Sequence, residues 1–393
     1  MNQHILHKEV QDFITTNLNS DITKLILKGS PFNNISIQEL SNQIISKQKS
    51  KNKLPNWFNT QNVYYPPKIS IEQTSSEITA NYKSNLVSGD AIIDITGGFG
   101  IDVFYFAKKF KNVIHSEIND KLSKIVAHNY QQLKVNNIQT VASDGLEFLK
   151  NTNQKFDCIY IDPSRRDDIK GKVFLLKDCL PNVPENIDFL FTKSANIMIK
   201  NSPMLDITAT INELKFVKEI HIIAVNNEVK ELLFLLKKEY KGTVNVNTVN
   251  LLKDKSQEFN FILKNNSDLK YNSPQKFIYE PNAAILKSGG FNQITKQYNV
   301  GKLHQHSHLY TSEEIIENFP GRIFKIDAVF SYNKKQLKKE LAIDKANITT
   351  RNFPKTVAQI RKETKLKDGG NIYLFFTKNL DEKLIVLKCT QIF

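Results

Sequence analysis

The chain has 393 residues, of which 40% are hydrophobic and 24% are charged, and its formal net charge is +14. This length is sufficient for two or three domains with cores of their own. No apolar run approaches the roughly 20 residues of a membrane-spanning helix, and the N-terminus lacks the apolar core of a secretory signal, so a membrane protein and a secreted protein are not expected.

Residues 1–70 are predicted to form a helical N-terminal region, because apolar positions recur with helical spacing through SIQELSNQIISKQ. The segment LPNWFNTQNVYYPP ends this region with prolines and aromatic residues. Trp57, Tyr64 and Tyr65 in this segment could stack on a nucleobase. We favour the alternative that they pack the helices against the next domain.

Residues 71–268 alternate short apolar strands with amphipathic helices such as DKLSKIVAHNYQQLKVN. This alternation predicts an α/β domain with a parallel sheet. The two late strands have no helix between them, which predicts an antiparallel edge. The predicted strands are AIIDIT, NVIHSE, IQTVAS, FDCIYID, IDFLFTK and EIHIIAV, followed by the pair TVNVNTVNLL and EFNFIL.

The last third of the chain changes character twice. Residues 269–321 are predicted to be a connecting region, ferredoxin-like or a linker, which contains the turn-rich segment YNSPQKFIYEPNAAILKSGGF. Residues 322–393 are predicted to form a small β-α-β-α-β-β unit of ferredoxin-like type. Its elements are the strand RIFKIDAVFS, the helix KKQLKKEL, the strand KANITTRN, the helix PKTVAQIRKET, and a hairpin of NIYLFFTK with KLIVLKCT.

Positive charge is concentrated in this last unit. From Ile323 to Phe393 there are 15 Lys and Arg against 7 Asp and Glu. A clustered positive charge favours a nucleic-acid partner. The alternative is a general richness in Lys, Asn and Ile, and for any single lysine a solvated surface position is the favoured interpretation.

A glycine loop at residues 96–100, TGGFG, connects the first predicted strand to a helix. Glycine at such a junction is typical of backbone that a nucleotide-like ligand approaches. The loop lacks the Gly-Lys-Ser/Thr of a P-loop and the full GxGxxG spacing. Acidic residues stand at or just beyond the ends of the four neighbouring strands, and they are Asp94, Glu117, Asp144 and Asp162.

This series, with DITGGFGID and the following Asp-Pro, resembles the class I S-adenosylmethionine-dependent methyltransferases over roughly residues 71–263. Within that class it is similar to RNA methyltransferases that act on guanine N2. Further likeness extends to a bacterial group with a THUMP-like C-terminal domain, and it rests on EQTSSEITANYK, IDPSRR, YEPNAAILKSGGF, HLYTSEEIIENFPGRIF and NFPKTVAQIRKETKLKDGGNIYLF. The resemblance implies a Rossmann-like methyltransferase sheet, a helical N-terminal region and a small α+β THUMP-like domain.

The resemblance also implies a site for S-adenosylmethionine. The glycines would let the backbone approach its methionine part, Glu117 would accept its ribose hydroxyls, and Asp144 would accept its adenine amino group. Asp94 either ligates directly or orients the loop amides, and Ser75 and Ser76 either hold the amino-acid end or simply cap a helix. The implied cofactor-binding residues are Ser75, Ser76, Glu77, Asp94, Thr96, Gly97, Gly98, Gly100, Glu117, Asp144 and Gly145.

The implied catalytic residues are Asp162, Pro163, Ser164 and Arg165. Amine-methylating relatives often carry D/N-P-P followed by an aromatic residue, whose acid and first proline carbonyl accept from the exocyclic amine. Here Ser164 and Arg165 replace the second proline and the aromatic residue. Arg165 could stack on a base, or it could join the next arginine in clamping a phosphate or carboxylate. A local ion pair of these arginines with the aspartates at 167 and 168 is the alternative.

The sequence therefore predicts an S-adenosylmethionine-dependent methyltransferase that acts on RNA, with a guanine exocyclic amine as the candidate acceptor. Two alternatives stay open at this point. One is a methyltransferase for a small anionic molecule or a protein, and the other is an RNA-binding protein with a vestigial cofactor pocket.

Metal binding and disulfides are not expected. Cys158, Cys179 and Cys389 are far apart and lack CxxC spacing, which fits a protein of the reducing cytoplasm. His304, His306 and His308 alternate along the chain, but no neighbouring cysteine or carboxylate completes a ligand set.

Overall fold

The computed structural model describes residues 1–165, 175–263, 270–333, 341 and 343–392. The chain forms two compact units, Met1–Lys218 with Leu232–Gly242 and Glu219–Glu231 with Thr243–Phe393. Over the described ranges, every helix is too short or too polar to cross a lipid bilayer.

The described helices are short, and α3 with 17 residues is the longest of them. In chain order they are α1 Lys8–Thr16, α2 Ile22–Lys28, α3 Ile37–Lys53, α4 Pro55–Asn59, α5 Lys68–Gln73, α6 Glu77–Ser84, α7 Ile101–Phe106, α8 Asp120–Gln132, α9 Gly145–Asn151, α10 Val183–Lys193, α11 Ile207–Glu213, α12 Ala283–Ser288, α13 Phe291–Tyr298 and α14 Val357–Thr364, with 3₁₀ turns at Gln3–Leu6 and Leu176–Asp178.

The strands range from two to eleven residues. In chain order they are β1 Ala91–Asp94, β2 Asn112–Ser116, β3 Ile138–Val141, β4 Cys158–Ile161, β5 Ser164–Arg165, β6 Cys179–Leu180, β7 Asn196–Asn201, β8 Val217–Val225, β9 Glu228–Lys237, β10 Asn245–Leu251, β11 Ser256–Ile262, β12 Phe277–Pro281, β13 Gly301–Lys302, β14 Tyr310–Ser312, β15 Gly321–Ser331, β16 Asn347–Thr350, β17 Ile372–Lys378 and β18 Leu384–Gln391.

The predicted helical N-terminus is confirmed by α1–α5. The long helix α3 begins at a capping box in which Ser36 and Glu39 satisfy each other's backbone amides. Buried side chains such as Leu40 and Ile44 recur along one face of α3. The helix is therefore specified locally at its start and by packing along its length.

The aromatic segment after α4 is packed, as favoured from the sequence. Trp57 is fully buried, and its indole ring lies 4.8 Å from the ring of Phe104 in an edge-on contact. The hydroxyl of Tyr65 donates to the carbonyl of Trp57 at 2.9 Å. These contacts attach the N-terminal helices to α7.

Two side-chain amides hold the backbone of the same segment from opposite sides. Gln43 on α3 accepts from the amide of Tyr65 at 3.0 Å and donates to the carbonyl of Tyr65 at 2.7 Å. Asn129 on α8 makes the same pair of hydrogen bonds with Tyr64, each at 2.9 Å. All four backbone groups are buried and need hydrogen-bond partners. The side-chain amides of Gln43 and Asn129 supply them, as a neighbouring strand would in a sheet.

The predicted parallel sheet is confirmed in the first unit. Strands β7, β4, β1, β2 and β3 lie side by side in that order and run parallel. Residues Leu232–Lys237 of β9 pair with β7 in antiparallel orientation. The central strands β1 and β4 are buried on both faces, which is typical of a sheet covered by helices.

One predicted strand of this sheet is wrong. IDFLFTK lies in helix α10, which begins after the N-cap Asn182 and carries a proline in its first turn. The strand follows instead as β7, and β9 was not predicted. The apolar run was short enough to fit either period, and the capping signals before it decide for a helix.

The second unit contains the predicted antiparallel pair. Strand β8 runs parallel to β10, and β10 pairs antiparallel with β11 over seven residue pairs. A seven-stranded sheet follows with the order β13-β14-β12-β15-β18-β17-β16. Tyr279, Phe324 and Phe375 are among its fully buried side chains.

The predicted order of the C-terminal unit is confirmed for four strands and one helix. These are β15, β16, α14 and the hairpin of β17 with β18. The predicted helix KKQLKKEL lies, apart from its last residue, outside the described residues. The segment read as turn-rich contains strand β12, which pairs with β15, and helix α12.

We predict that Gln43→Leu lowers the free energy of unfolding of the first unit by about 2–4 kcal/mol, since it leaves a buried amide and carbonyl of Tyr65 without partners. Trp57, which is the single tryptophan, reports the transition by fluorescence in urea. The exposed Gln131→Leu is the matched control and should stay within about 0.5 kcal/mol of wild type. Equal urea midpoints for the two variants would show that the hydrogen bonds of Gln43 with Tyr65 do not stabilise the first unit.

Candidate active site

Four of the predicted site residues follow four neighbouring parallel strands. Asp94 ends β1, Glu117 follows β2, Asp144 stands three residues beyond β3, and Asp162 follows β4. Strand order β4-β1-β2-β3 places these acids along one edge of the sheet. Ligands bind at this edge in open α/β sheets.

The three glycines of the loop have different reasons to be glycine. A β-carbon on Gly97 would lie 2.7 Å from the carbonyl oxygen of Ser116, and one on Gly100 would lie 2.1 Å from the hydroxyl of Tyr130. Gly98 has a φ of +60°, and a β-carbon there would meet nothing closer than 3.9 Å. Gly97 and Gly100 are thus required by packing against the protein, while Gly98 borders open space.

Gly145 belongs to the packing group as well. A β-carbon on it would lie 2.3 Å from the carbonyl oxygen of Ile95. It lets the start of helix α9 approach the end of β1. No ligand is needed to explain it.

Glu117 holds the glycine loop in place. Its carboxylate accepts from the amide of Gly98 through Oε2 at 2.7 Å and from the amide of Asn119 through Oε1 at 2.7 Å. The side chain is largely buried. A carboxylate oxygen accepts more than one hydrogen bond, so both oxygens keep capacity for the ribose hydroxyls that the resemblance implies.

Asp94 connects the glycine loop, through Thr96, to the predicted catalytic segment at residues 162–165. Its Oδ1 accepts from the amide of Thr96 at 2.8 Å and from the hydroxyl of Thr96 at 2.9 Å. The same hydroxyl accepts from the amide of Asp162 at 2.7 Å. These hydrogen bonds of Asp94 match the interpretation in which it orients the loop.

Burial is the main cause that raises the pKa of Asp94, the charges of Asp102 and Asp162 add to it, and the hydrogen bonds from Thr96 offset only part of it. Together these effects raise the pKa of Asp94 to about 8. At neutral pH the protonated form of Asp94 therefore predominates.

Asp144 serves as the N-cap of helix α9. Its Oδ1 accepts from the amides of Leu146 at 2.8 Å and Glu147 at 3.0 Å. The side chain is exposed, unlike Asp94. Capping fixes one carboxylate oxygen, and a role toward adenine stays a prediction.

Ser75 lies in a buried ionic network. It donates to Oδ2 of Asp102 at 2.7 Å and accepts from Nζ of Lys83 at 2.8 Å. Lys83 is fully buried and lies 3.0 Å from Oδ1 of Asp102, and Tyr160 donates to Oδ2 at 2.8 Å. Burial alone would raise the pKa of Asp102, but Lys83 and then Lys200 outweigh it, so the pKa is lowered.

Ser76 and Glu77 also have partners within the protein. Ser76 is the N-cap of α6 and accepts from the amide of Thr79 at 3.3 Å. Glu77 is buried and accepts from the amide of Asn56 at 2.7 Å and from the hydroxyl of Tyr105 at 2.8 Å. Glu77 thus joins α4 to α6 and α7, and the role of both residues toward a cofactor stays a prediction.

The predicted catalytic segment, residues 162–165, begins with an ion pair that was not predicted from the sequence. Nζ of Lys200 lies 2.5 Å from Oδ2 of Asp162. Pro163 comes next, and Ser164 with Arg165 forms the short strand β5 that pairs with β6. The next arginine and the two aspartates after it lie outside the described residues, so the alternatives for this arginine pair stay predictions.

Lys200 was missed because its strand was missed. The residues that precede it, Ile197 to Ile199, form an apolar run long enough for a short buried strand. Once IDFLFTK is recognised as a capped helix, the alternation of helix and strand predicts β7 here. A lysine at its carboxyl end would then belong to the same edge as the four acids.

The three histidines are in the second unit and have local roles. Nδ1 of His304 accepts from the amide of His306 at 3.1 Å and from Nδ2 of Asn352 at 2.9 Å, so Nε2 carries the proton and donates to Glu382. The ring of His308 stacks on Phe291 at 3.6 Å. Within the described part of the chain, no group of three potential metal-binding side chains occurs.

Three family models match successive parts of the chain. Residues 89–238 match the RNA cap guanine-N2 methyltransferase family. Residues 277–320 match a ferredoxin-like domain, and residues 321–391 match a THUMP domain-like family.

One solved structure is similar over nearly the whole chain. It is the crystal structure of a candidate methyltransferase from Porphyromonas gingivalis, with 30% sequence identity and a TM-score of 0.89. The similarity covers 99% of this chain and 98% of that one.

Curated relatives match a shorter part. Ribosomal RNA small subunit methyltransferase J of Francisella tularensis subsp. novicida is 26% identical over 123 residues, which cover 29% of this chain and 47% of the relative. The protein of the same name from subsp. holarctica matches to the same extent. The chain spans about half the length of the curated relatives it matches.

The raised pKa of Asp94 predicts a pH-dependent stability. Between about pH 4 and about pH 8 the folded chain holds a proton that the unfolded chain has released, so the free energy of unfolding falls by up to about 1.4 kcal/mol per pH unit as the pH rises. Asp94→Asn removes this dependence and keeps an acceptor for Thr96. In urea unfolding at several pH values, the free energy of unfolding of the variant, relative to that of wild type, should increase up to about pH 8. Parallel profiles would show that Asp94 is not the responsible group.

Proposed function

The chain belongs to the family of S-adenosylmethionine-dependent methyltransferases that carry a THUMP-like C-terminal domain, and we propose that it methylates RNA, with a guanine exocyclic amine as the acceptor. The observation that carries the proposal is the hydrogen-bonded connection from the glycine loop through Thr96 to Asp162. It joins the part of the site suited to a cofactor to the part suited to a nucleophile.

The loop has features that suit S-adenosylmethionine. The space beside Gly98 is open, and Glu117 fixes the loop by accepting a hydrogen bond from the amide of Gly98. Asp144, three residues beyond the end of β3, would accept a hydrogen bond from the adenine amine. The bound cofactor would supply a methyl group on a sulfonium, which is transferred by in-line displacement, so positioning of the nucleophile does most of the catalytic work.

Asp162 and Pro163 are suited to position an amine. The carboxylate and the proline carbonyl would each accept one N–H, which turns the nitrogen lone pair toward the methyl group. The amine loses its proton during or after transfer, so a strongly activated base is not needed. Ser164 and Arg165 follow in β5, and we assign them to contact with the acceptor base.

RNA as the substrate rests on charge and on the family. The last 71 residues hold 15 Lys and Arg against 7 Asp and Glu. Some of these cations are engaged internally, since Arg351 binds the buried carboxylate of Glu280 and Lys355 binds Glu363. The surplus that remains suits a phosphate backbone. Curated relatives that match over 123 residues are named as ribosomal RNA small subunit methyltransferases.

We further expect the protein to act in the cytoplasm, where RNA substrates of this kind occur. Cys158, Cys179 and Cys389 are buried, and in the described part of the chain they form no disulfide, as suits a reducing compartment.

We predict that Gly98→Ala weakens binding of S-adenosylmethionine about tenfold or more. The added methyl group points into the open space, and the φ of +60° also disfavours alanine by about 1 kcal/mol. Isothermal titration measures the affinity, and urea unfolding measures the stability. Gly98→Asn is the matched control for backbone strain, since asparagine tolerates a positive φ. Unchanged affinity for S-adenosylmethionine in both variants would show that the cofactor does not bind in the space beside Gly98.

The decisive experiment is methyl transfer from radiolabelled cofactor into total RNA of cells that lack the protein. Asp162→Ala should lose at least about 100-fold in turnover, because it removes an acceptor needed for alignment, while cofactor affinity stays within a few-fold. Digestion and chromatography identify the labelled nucleoside.

Three other outcomes are informative. Equal losses of turnover and cofactor binding in Asp162→Ala would overturn the role of Asp162. Cofactor binding without any labelled RNA would favour a small anionic or protein substrate. RNA binding without cofactor binding would indicate a vestigial pocket.

A further inference from the structure

We propose that Lys200 is the positioning residue for Asp162 in the methyl-transfer reaction, an inference that rests on the proposed function. The lysine holds one carboxylate oxygen so that the other faces the acceptor amine. Neither the family resemblance nor the sequence analysis points to this residue.

Strand register is the first reason. Strands β4 and β7 are parallel neighbours in which Ile161 lies opposite Ile199. The next residues of the two strands are Asp162 and Lys200, and residues opposite each other in parallel strands point to the same side. Their ion pair at 2.5 Å thus follows from the sheet and not from a chance meeting of surface side chains.

The second reason is burial. The Lys200 side chain is only 12% exposed, whereas that of Asp162 is 38% exposed. The ammonium group therefore lies on the protein side of the pair and the carboxylate faces the solvent side. With Oδ2 held by the lysine, Oδ1 is the oxygen available to an incoming amine.

Two attachments then fix Asp162. Its backbone amide donates to Thr96 at 2.7 Å from the side of β1, and its carboxylate is held by Lys200 from the side of β7. A residue whose backbone amide and side-chain carboxylate are both held has little rotational freedom left in its side chain. Such pre-organisation is what alignment of a nucleophile requires.

Charge gives the third reason. The charges of Asp102 and Asp162 both raise the pKa of Asp94, so the three side chains lie close together. In the described part of the chain, Lys83 pairs with Asp102 and Lys200 pairs with Asp162. The ion pair with a largely buried ammonium group favours one orientation of the Asp162 carboxylate over rotation into solvent.

The test uses the full chain and the RNA methylation assay. Lys200→Met removes the charge, and Lys200→Gln leaves only a neutral donor. Both should lower kcat by about 10- to 100-fold with the KM for RNA and the Kd for cofactor within about threefold, because the lost contact positions a group and does not bind substrate. Lys200→Arg keeps the charge and should stay within about fivefold of wild type.

Lys215→Met is the matched control. Lys215 forms an ion pair with Asp188 at 2.7 Å in the same unit, with both side chains more than half exposed. Its loss should leave kcat unchanged. A melting curve for each variant shows whether it is folded before its kinetics are read.

The outcomes separate this inference from the proposed function. Active wild type with an unimpaired Lys200→Gln or Lys200→Met overturns the positioning role alone. A parallel rise in KM or cofactor Kd overturns it too, since that marks a binding or structural role. Wild type that binds the cofactor and labels no RNA overturns the proposed function and this inference together.

Discussion

A cluster of buried and half-buried charged groups at the sheet edge that carries the glycine loop is the constraint on which the rest of the site depends. Three carboxylates, Asp94, Asp102 and Asp162, share this region with two ammonium groups, those of Lys83 and Lys200. Unpaired charges are costly in a protein interior. The two ion pairs and the proton retained on Asp94 leave the set close to neutral at pH 7, and that neutrality permits so many polar groups at one sheet edge.

The N-terminal helices belong to this arrangement. Glu77 begins α6 and is held by Asn56 and Tyr105, and six residues further on α6 supplies the buried Lys83. The buried ring of Trp57 packs on Phe104 of α7, the helix that also carries Asp102. The site therefore requires residues that precede the sheet in the chain, which explains why a helical region accompanies the methyltransferase sheet.

Most of the architecture followed from the sequence, because the signals for it are local. Alternating apolar runs and capped helices identified β1–β4, α8 and the C-terminal order of elements. IDFLFTK failed because a run of seven residues fits both periods, and the helix signals lie in the residues before it. This single error hid β7 and, with it, Lys200.

The sequence by itself determined the fold class, the glycine loop and the four acids at the strand ends, since each depends on residues close together in the chain. Tertiary structure alone decided which partner each acid has. Asp162 meets Lys200 across 38 positions, and Ser75 meets Asp102 across 27. Such pairs are set by strand register and helix packing, which act between segments distant in sequence, and the chemistry of each carboxylate follows from its partner.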